Sequence, residues 1–263
     1  MKVTVVGAGG NVGSTVALSV AQRDFAKEVI AVDLERKEDD KTFYPSKGRA
    51  LDQWEASPIH LFDTRVKGTT DYADTANSDV CVITAGVPRR PGMSRDDLLE
   101  INANIVRSVT EQLVKHSPDT IIIVVSNPLD VMVQVAKDAS GLPYEKVMGM
   151  AGILDTARYR AFIAEELDVS PKDIQALLMG GHGDTMVPLP RFTTLAGMPI
   201  THFISDERLE EIVNRAKKGG GEIVGLMGTS AWYAPGAAAA QMVEAILLDQ
   251  NRIFPVCAHI DGQ

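Results

Sequence analysis

An α/β fold, with a doubly wound parallel sheet first and a second α+β domain after it, is what the order of apolar runs in this sequence predicts. Three observations carry the reading. Short β-branched runs in the first half alternate with amphipathic stretches of helical period, a glycine cluster directly follows the first run, and the alternation breaks down near residue 150. This alternation is the rhythm of a parallel sheet.

Taken in order, VTVV (3–6) opens the sheet, and residues 11–23 beyond the glycines have helical spacing. EVIAVDL (28–34) is the second strand, and the charged run LERKEDDK (34–41) reads as a solvated loop. A helix over 47–57 leads to the strands TRVKGTT (64–70) and SDVCVITAG (78–86). Helices over 94–116 and 129–139 bracket the strand TIIIVVSN (120–127), and KVMGM (146–150) completes the sheet after a Gly-Leu-Pro turn. The expected first domain is therefore residues 1–149 and the second 150–263. In the second, a helix over 155–167 precedes a strand-like IQALLMG (174–180), a hairpin at GMPIT (197–201) and helices over 206–218 and 236–249. Gly219, Gly220 and Gly221 read as a flexible join, and Cys81 as an inert buried thiol.

Composition excludes several functions. With 263 residues, 45% hydrophobic and 23% charged, the chain can bury a sizeable core and is not disordered. The balance of 26 basic and 35 acidic residues, net −9, disfavours nucleic acid and anionic membrane as partners. The amino terminus lacks the apolar core of a secretory signal, no run reaches the ~18 apolar residues of a membrane span, and the two cysteines form no C-x-x-C pair. These features point to a reducing cytoplasm.

The run Gly7-Ala8-Gly9-Gly10-Asn11-Val12-Gly13 joins a predicted strand to a predicted helix, the context in which glycines let the backbone approach a pyrophosphate at a helix start. Asp33 ends the second strand, where a carboxylate accepts from ribose hydroxyls and repels a 2′-phosphate. Together they predict a dinucleotide site with NAD as its ligand. Arg36 and Lys37 nearby leave NADP as the alternative. Further on, Asp155 and Arg158 are three apart on one helix face, and His182 sits in Gly181-His182-Gly183-Asp184. Removing a hydride from a secondary alcohol requires a base for the hydroxyl proton, a task suited to His with an orienting Asp, and a planar Arg can hold a carboxylate by two hydrogen bonds.

These motifs, with the run from Thr84 to Arg95 (TAGVPRRPGMSR) and Ser126-Asn127-Pro128, resemble the malate/lactate dehydrogenase family over the whole chain, and within it the lactate-dehydrogenase-like malate dehydrogenases of bacteria. The resemblance implies a Rossmann-type first domain and catalysis by His182 oriented by Asp155. It implies substrate contacts from Arg158, Asn127, Arg95 on a closing loop and Arg89. Gly7, Gly10, Asn11, Val12, Gly13, Asp33, Asn102, Val125 and Asn127 would hold NAD. The cation at Arg89 fits a second carboxylate, so the implied pair is malate and oxaloacetate, and a homo-oligomer, dimer or tetramer, is expected. A lactate or other 2-hydroxyacid dehydrogenase, with Arg90 rather than Arg89 turned inward, and a non-catalytic dinucleotide-binding protein are the alternatives. Two departures stand out. Residues 35–46 are longer and more charged than the family's turn, and members generally run on beyond the position of Gln263, so the second domain is expected to be truncated at its carboxy terminus.

Overall fold

The computed structural model describes residues 1–88, 95–182 and 185–260. Along the chain the elements begin with β1 (Lys2–Val6), α1 (Asn11–Gln22), β2 (Glu28–Val32), β3 (Arg36–Glu38), β4 (Lys41–Phe43), α2 (Pro45–Glu55) and α3 (Ser57–His60). They continue with β5 (Arg65–Thr69), β6 (Val80–Ile83), α4 (Arg95–His116), β7 (Ile121–Val124), α5 (Leu129–Ser140) and β8 (Val147–Gly149). Then come α6 (Gly152–Leu167), β9 (Ile174–Gln175), β10 (Leu178–Gly180), β11 (Met186–Pro188), β12 (Thr194–Leu195), β13 (Met198–Pro199), α7 (Asp206–Met227) and α8 (Tyr233–Leu247). Short 3₁₀ turns connect several of them.

Among the described residues, one compact unit takes those within 1–150, 232–252 and 258–260. Its six-stranded sheet has the order β5-β2-β1-β6-β7-β8 with every pair parallel, the doubly wound order predicted, whose direction reverses between β1 and β6. The register aligns Val6 with Val32 and with Ile83, so three strands end together at that reversal and their carboxyl ends open onto one crevice. Val3, Val5, Val82, Ile122 and Ile123 are fully buried, which is why these runs carry no polar alternation. Helix α8 packs in this unit against α1, with Gly236 so close to Thr15 that a Cβ there would stand 2.5 Å from Thr15 Cγ2.

The other unit comprises residues 151–231 and 253–257. Tyr159 and Ile163 of α6 and Leu209, Ile212, Val213 and Ala216 of α7 form its core with Ile174, Leu178 and Ile200. The 3- and 4-residue intervals along α7 place these side chains on one stripe.

Three local expectations are corrected. The run 34–41 is not a loop: Arg36–Glu38 and Lys41–Phe43 pair as an exposed antiparallel hairpin, turned through Asp39 at φ +51°. IQALLMG is not one strand: Ile174–Gln175 pairs with β12, whereas Leu178–Gly180 pairs with β11 in a separate sheet. Gly219, Gly220 and Gly221 do not join two elements but continue α7 to Met227, because Leu209 to Ala216 anchor its packed face immediately upstream. Cys81 is fully buried, as expected, and burial pushes its thiol up to about 12.

Candidate active site

The crevice begins where β1 ends and the chain turns through residues 7–10 into α1. Gly7 adopts φ +86°, and the N–H groups of Gly7 and Ala8 both donate to the Val32 carbonyl, at 2.9 and 3.1 Å, which ties the turn to the end of β2. A Cβ on Gly7 would lie 2.6 Å from Thr84 Oγ1, and one on Gly13 2.4 Å from the Gly7 carbonyl oxygen. Both positions thus require glycine for close packing, and at Gly7 the backbone angle also disfavours any side chain. Helix α1 starts after Gly10 with no side-chain cap and no acidic residue in its first turn, so the charge of its amino end is left for an external anion. Asn11 is exposed at that start, Val12 half-buried and Gly13 buried.

A cavity of about 630 Å³ lies over this cradle, walled by Gly7, Gly10, Asp33, Tyr72, Thr84 and Val109 among others. Asp33 Oδ2 accepts from the Gly9 N–H at 2.7 Å and Oδ1 from the Leu34 N–H at 2.8 Å, which fixes the carboxylate on the wall with lone pairs to spare for hydroxyl donors. Burial, and secondarily the charge of Asp33, pushes the Tyr72 phenol up to about 12 and keeps it protonated. Arg36 and Lys37 are paired locally, Nε of the former 3.1 Å from Glu38 and Nζ of the latter 3.2 Å from Glu35. The cradle, the wall carboxylate and the apolar cavity fit an adenine dinucleotide.

Farther along the sheet, Asn102 is buried, accepting from the Val87 N–H at 2.8 Å and donating to the Val87 and Asn127 carbonyls at 3.2 and 2.7 Å. Its carboxamide therefore clasps the segment after β6 to the segment after β7. Val125 N–H donates to the Ile83 carbonyl at 2.8 Å, Ser126 Oγ donates to the Ala85 carbonyl at 2.6 Å, and Asn127 is exposed before a cis Pro128. Arg89 and the side chain of Arg95, the residue that opens α4, lie outside the described residues, as do Gly183 and Asp184.

In the second unit the first turn of α6 presents Asp155, and its side chain is only 2% exposed. Its two oxygens divide between two partners: Oδ2 meets His182 Nδ1 at 2.8 Å, and Oδ1 meets Arg158 Nη1 at 3.3 Å. With Nδ1 directed at a carboxylate, the ring is held in the orientation that leaves Nε2 for proton exchange. Arg158 is mostly buried, its Nε has no hydrogen-bond partner among the described residues, and burial pulls the guanidinium below its usual value against the upward pull of Asp155. A guanidinium whose contact with Asp155 is this long can still offer its terminal N–H groups to an anionic ligand able to accept two hydrogen bonds.

Some site residues are not singled out by the motifs. Gly9 supplies the N–H that orients Asp33, Tyr72 faces the cavity, and Gly219 lies against Arg158. The contiguous glycines carried a signal for Gly9, whereas Tyr72 sits in a 3₁₀ turn with no periodicity to mark it.

One unit carries a dinucleotide cradle and the other an oriented imidazole with a carboxylate-binding guanidinium, and this equipment defines the nicotinamide-dependent dehydrogenases of 2-hydroxy acids. Residues 1–149 match the lactate/malate dehydrogenase NAD binding domain and residues 153–263 the lactate/malate dehydrogenase alpha/beta C-terminal domain. The chain belongs to the lactate/malate dehydrogenase family and takes NAD as its cofactor. It is 66% identical over 263 residues to a malate dehydrogenase of Salinibacter ruber and 60% identical over 264 aligned positions to one of Cytophaga hutchinsonii, covering all of this chain and 81% and 82% of those proteins. The 1.55 Å structure of the Salinibacter ruber malate dehydrogenase superposes with a TM-score of 0.92 at 63% identity, over 100% of this chain and 81% of that one. No helix among the described residues is long and apolar enough to cross a membrane.

Proposed function

We propose that the chain interconverts malate and oxaloacetate with NAD(H), a reading carried by the shared Asp155 carboxylate between His182 and Arg158. Bound NAD⁺ supplies the hydride acceptor. His182 Nε2 takes the proton of the C2 hydroxyl in oxidation and returns it in reduction, and Asp155 holds the ring and balances the imidazolium. Arg158 grips the carboxylate next to the reacting carbon, Arg95 polarises the carbonyl oxygen, Asn127 donates to the substrate, and Arg89 pairs with the second carboxylate. Gly7, Gly10, Asn11, Val12 and Gly13 cradle the pyrophosphate, Asp33 takes the ribose hydroxyls, and Asn102, Val125 and Asn127 line the nicotinamide side. In this reading residues 1–149 are the dinucleotide-binding domain and 150–263 the substrate domain, in a cytoplasmic homo-oligomer, dimer or tetramer. The doubly charged substrate needs both Arg158 and Arg89, one for each carboxylate, because an unpaired carboxylate in a closed site costs several kcal/mol.

NAD⁺ should be preferred over NADP⁺. A 2′-phosphate placed at Asp33 meets a fixed negative charge, and the cations that could offset it are held by Glu38 and Glu35. Malate-dependent reduction of the two cofactors, compared as kcat/KM, tests the proposal. The expected ratio favours NAD⁺ by at least an order of magnitude. Equal use of NADP⁺ would mean that Arg36 or Lys37 leaves its partner for the ribose.

A further inference from the structure

We infer that Gly219 is a positioning residue for substrate recognition, a deliberately bare point on α7 against which the stem of Arg158 is seated. The inference rests on the reading of Arg158 as a carboxylate clamp. Gly219 is buried and falls on the same α7 stripe as Leu209, Ile212, Val213 and Ala216, the stripe that forms the core of the second unit. A Cβ built there would stand 3.1 Å from Arg158 Cδ and 3.5 Å from Nε. The first distance is tighter than an ordinary carbon contact, so even a methyl group requires the stem to give by a few tenths of an ångström.

Among the described residues, few polar contacts fix that stem. The guanidinium meets Asp155 at 3.3 Å, and among the same residues its buried Nε has no hydrogen-bond partner. Its placement is therefore decided by packing, and α7 supplies the packing surface. The other oxygen of Asp155 holds His182, so a shift of Arg158 changes where a bound carboxylate lies relative to the imidazole. This explains a glycine at a buried point in the middle of a 22-residue helix, where it weakens the helix relative to alanine.

The neighbouring glycines provide internal controls. At Gly220 a Cβ would be 3.7 Å from Arg158 Nη2, an ordinary contact, and at Gly221 and Gly225 it would meet nothing within 4 Å. Gly221→Ala and Gly225→Ala should raise Tm by favouring the helix and leave kinetics unchanged. Gly219→Ala should raise the KM for oxaloacetate about tenfold with a smaller change in kcat and no loss of Tm, since the binding arginine moves while the fold gains a helix former. Gly219→Val should raise it further. The crystal structure of Gly219→Ala supplies a readout independent of turnover: Arg158 Cδ displaced from α7 and its distance to Asp155 changed. An unchanged Arg158 in that structure, or an unchanged KM beside a displaced Arg158, overturns the inference. Absence of oxaloacetate turnover in the unsubstituted protein counts against the proposed function instead, and the position of Arg158 in the variant still decides the role of Gly219.

Discussion

Replacing His182 by Asn lowers oxaloacetate reduction and malate oxidation together, by about 10²–10⁴-fold, the usual contribution of a positioned acid or base. Asparagine keeps a polar side chain of similar reach opposite Asp155 but cannot exchange a proton. NADH binding should persist, because the glycine cradle, Asp33 and the cavity over them all belong to the first unit, whereas His182 belongs to the second. Reduction needs a proton donor and oxidation a proton acceptor at the same ring nitrogen, so one substitution impairs both directions. Steady-state rates in both directions, with NADH titrated by fluorescence, check all of this. Substantial residual turnover would remove His182 from the chemistry, and a parallel loss of NADH binding would make its role structural.

The second large effect concerns the distal carboxylate. Arg89→Gln should lower kcat/KM for oxaloacetate by tens- to thousands-fold, corresponding to the ~2–5 kcal/mol typical of a lost charge pair in a closed site, and change pyruvate turnover far less. Only the dicarboxylate has a charge left without a partner. The quantity to compare is the oxaloacetate-to-pyruvate ratio before and after substitution. A ratio that does not move assigns Arg89 to the surface and makes Arg90 the residue to substitute next.

What the sequence discloses about this molecule follows a physical division. Buried parallel strands announce themselves because two covered faces demand unbroken apolar runs, as in Val80–Ile83 and Ile121–Val124. The glycine cradle is legible for a similar reason: Gly7 and Gly13 are dictated by contacts with Thr84 and the Gly7 carbonyl that tolerate no side chain. Asp155, Arg158 and His182 are legible as candidates but not as a cluster, since the 27 residues from Asp155 to His182 say nothing of the 2.8 Å that separates their side chains.

Residues whose role depends on tertiary packing are the ones that misread. Gly219 to Gly221 have the composition of a linker, and only the anchoring of Leu209 to Ala216 keeps the helix running through them. The hairpin at Arg36–Glu38 and Lys41–Phe43 has no apolar face to reveal it, and its ion pairs form between residues that composition alone assigns to solvent. Asn102 illustrates a subtler limit. Its position within α4 is predictable, but its three hydrogen bonds to the Val87 and Asn127 backbones depend on two loops that meet only in the folded sheet.

Turnover of a dicarboxylate 2-oxo acid through Arg158, His182 and NADH is the activity proposed for the chain. Its most direct test is the initial rate of NADH consumption with oxaloacetate and with pyruvate, measured on the same preparation over a range of substrate concentrations. A kcat/KM for oxaloacetate at least two orders of magnitude above that for pyruvate is the result predicted. Equal or faster use of pyruvate would contradict it.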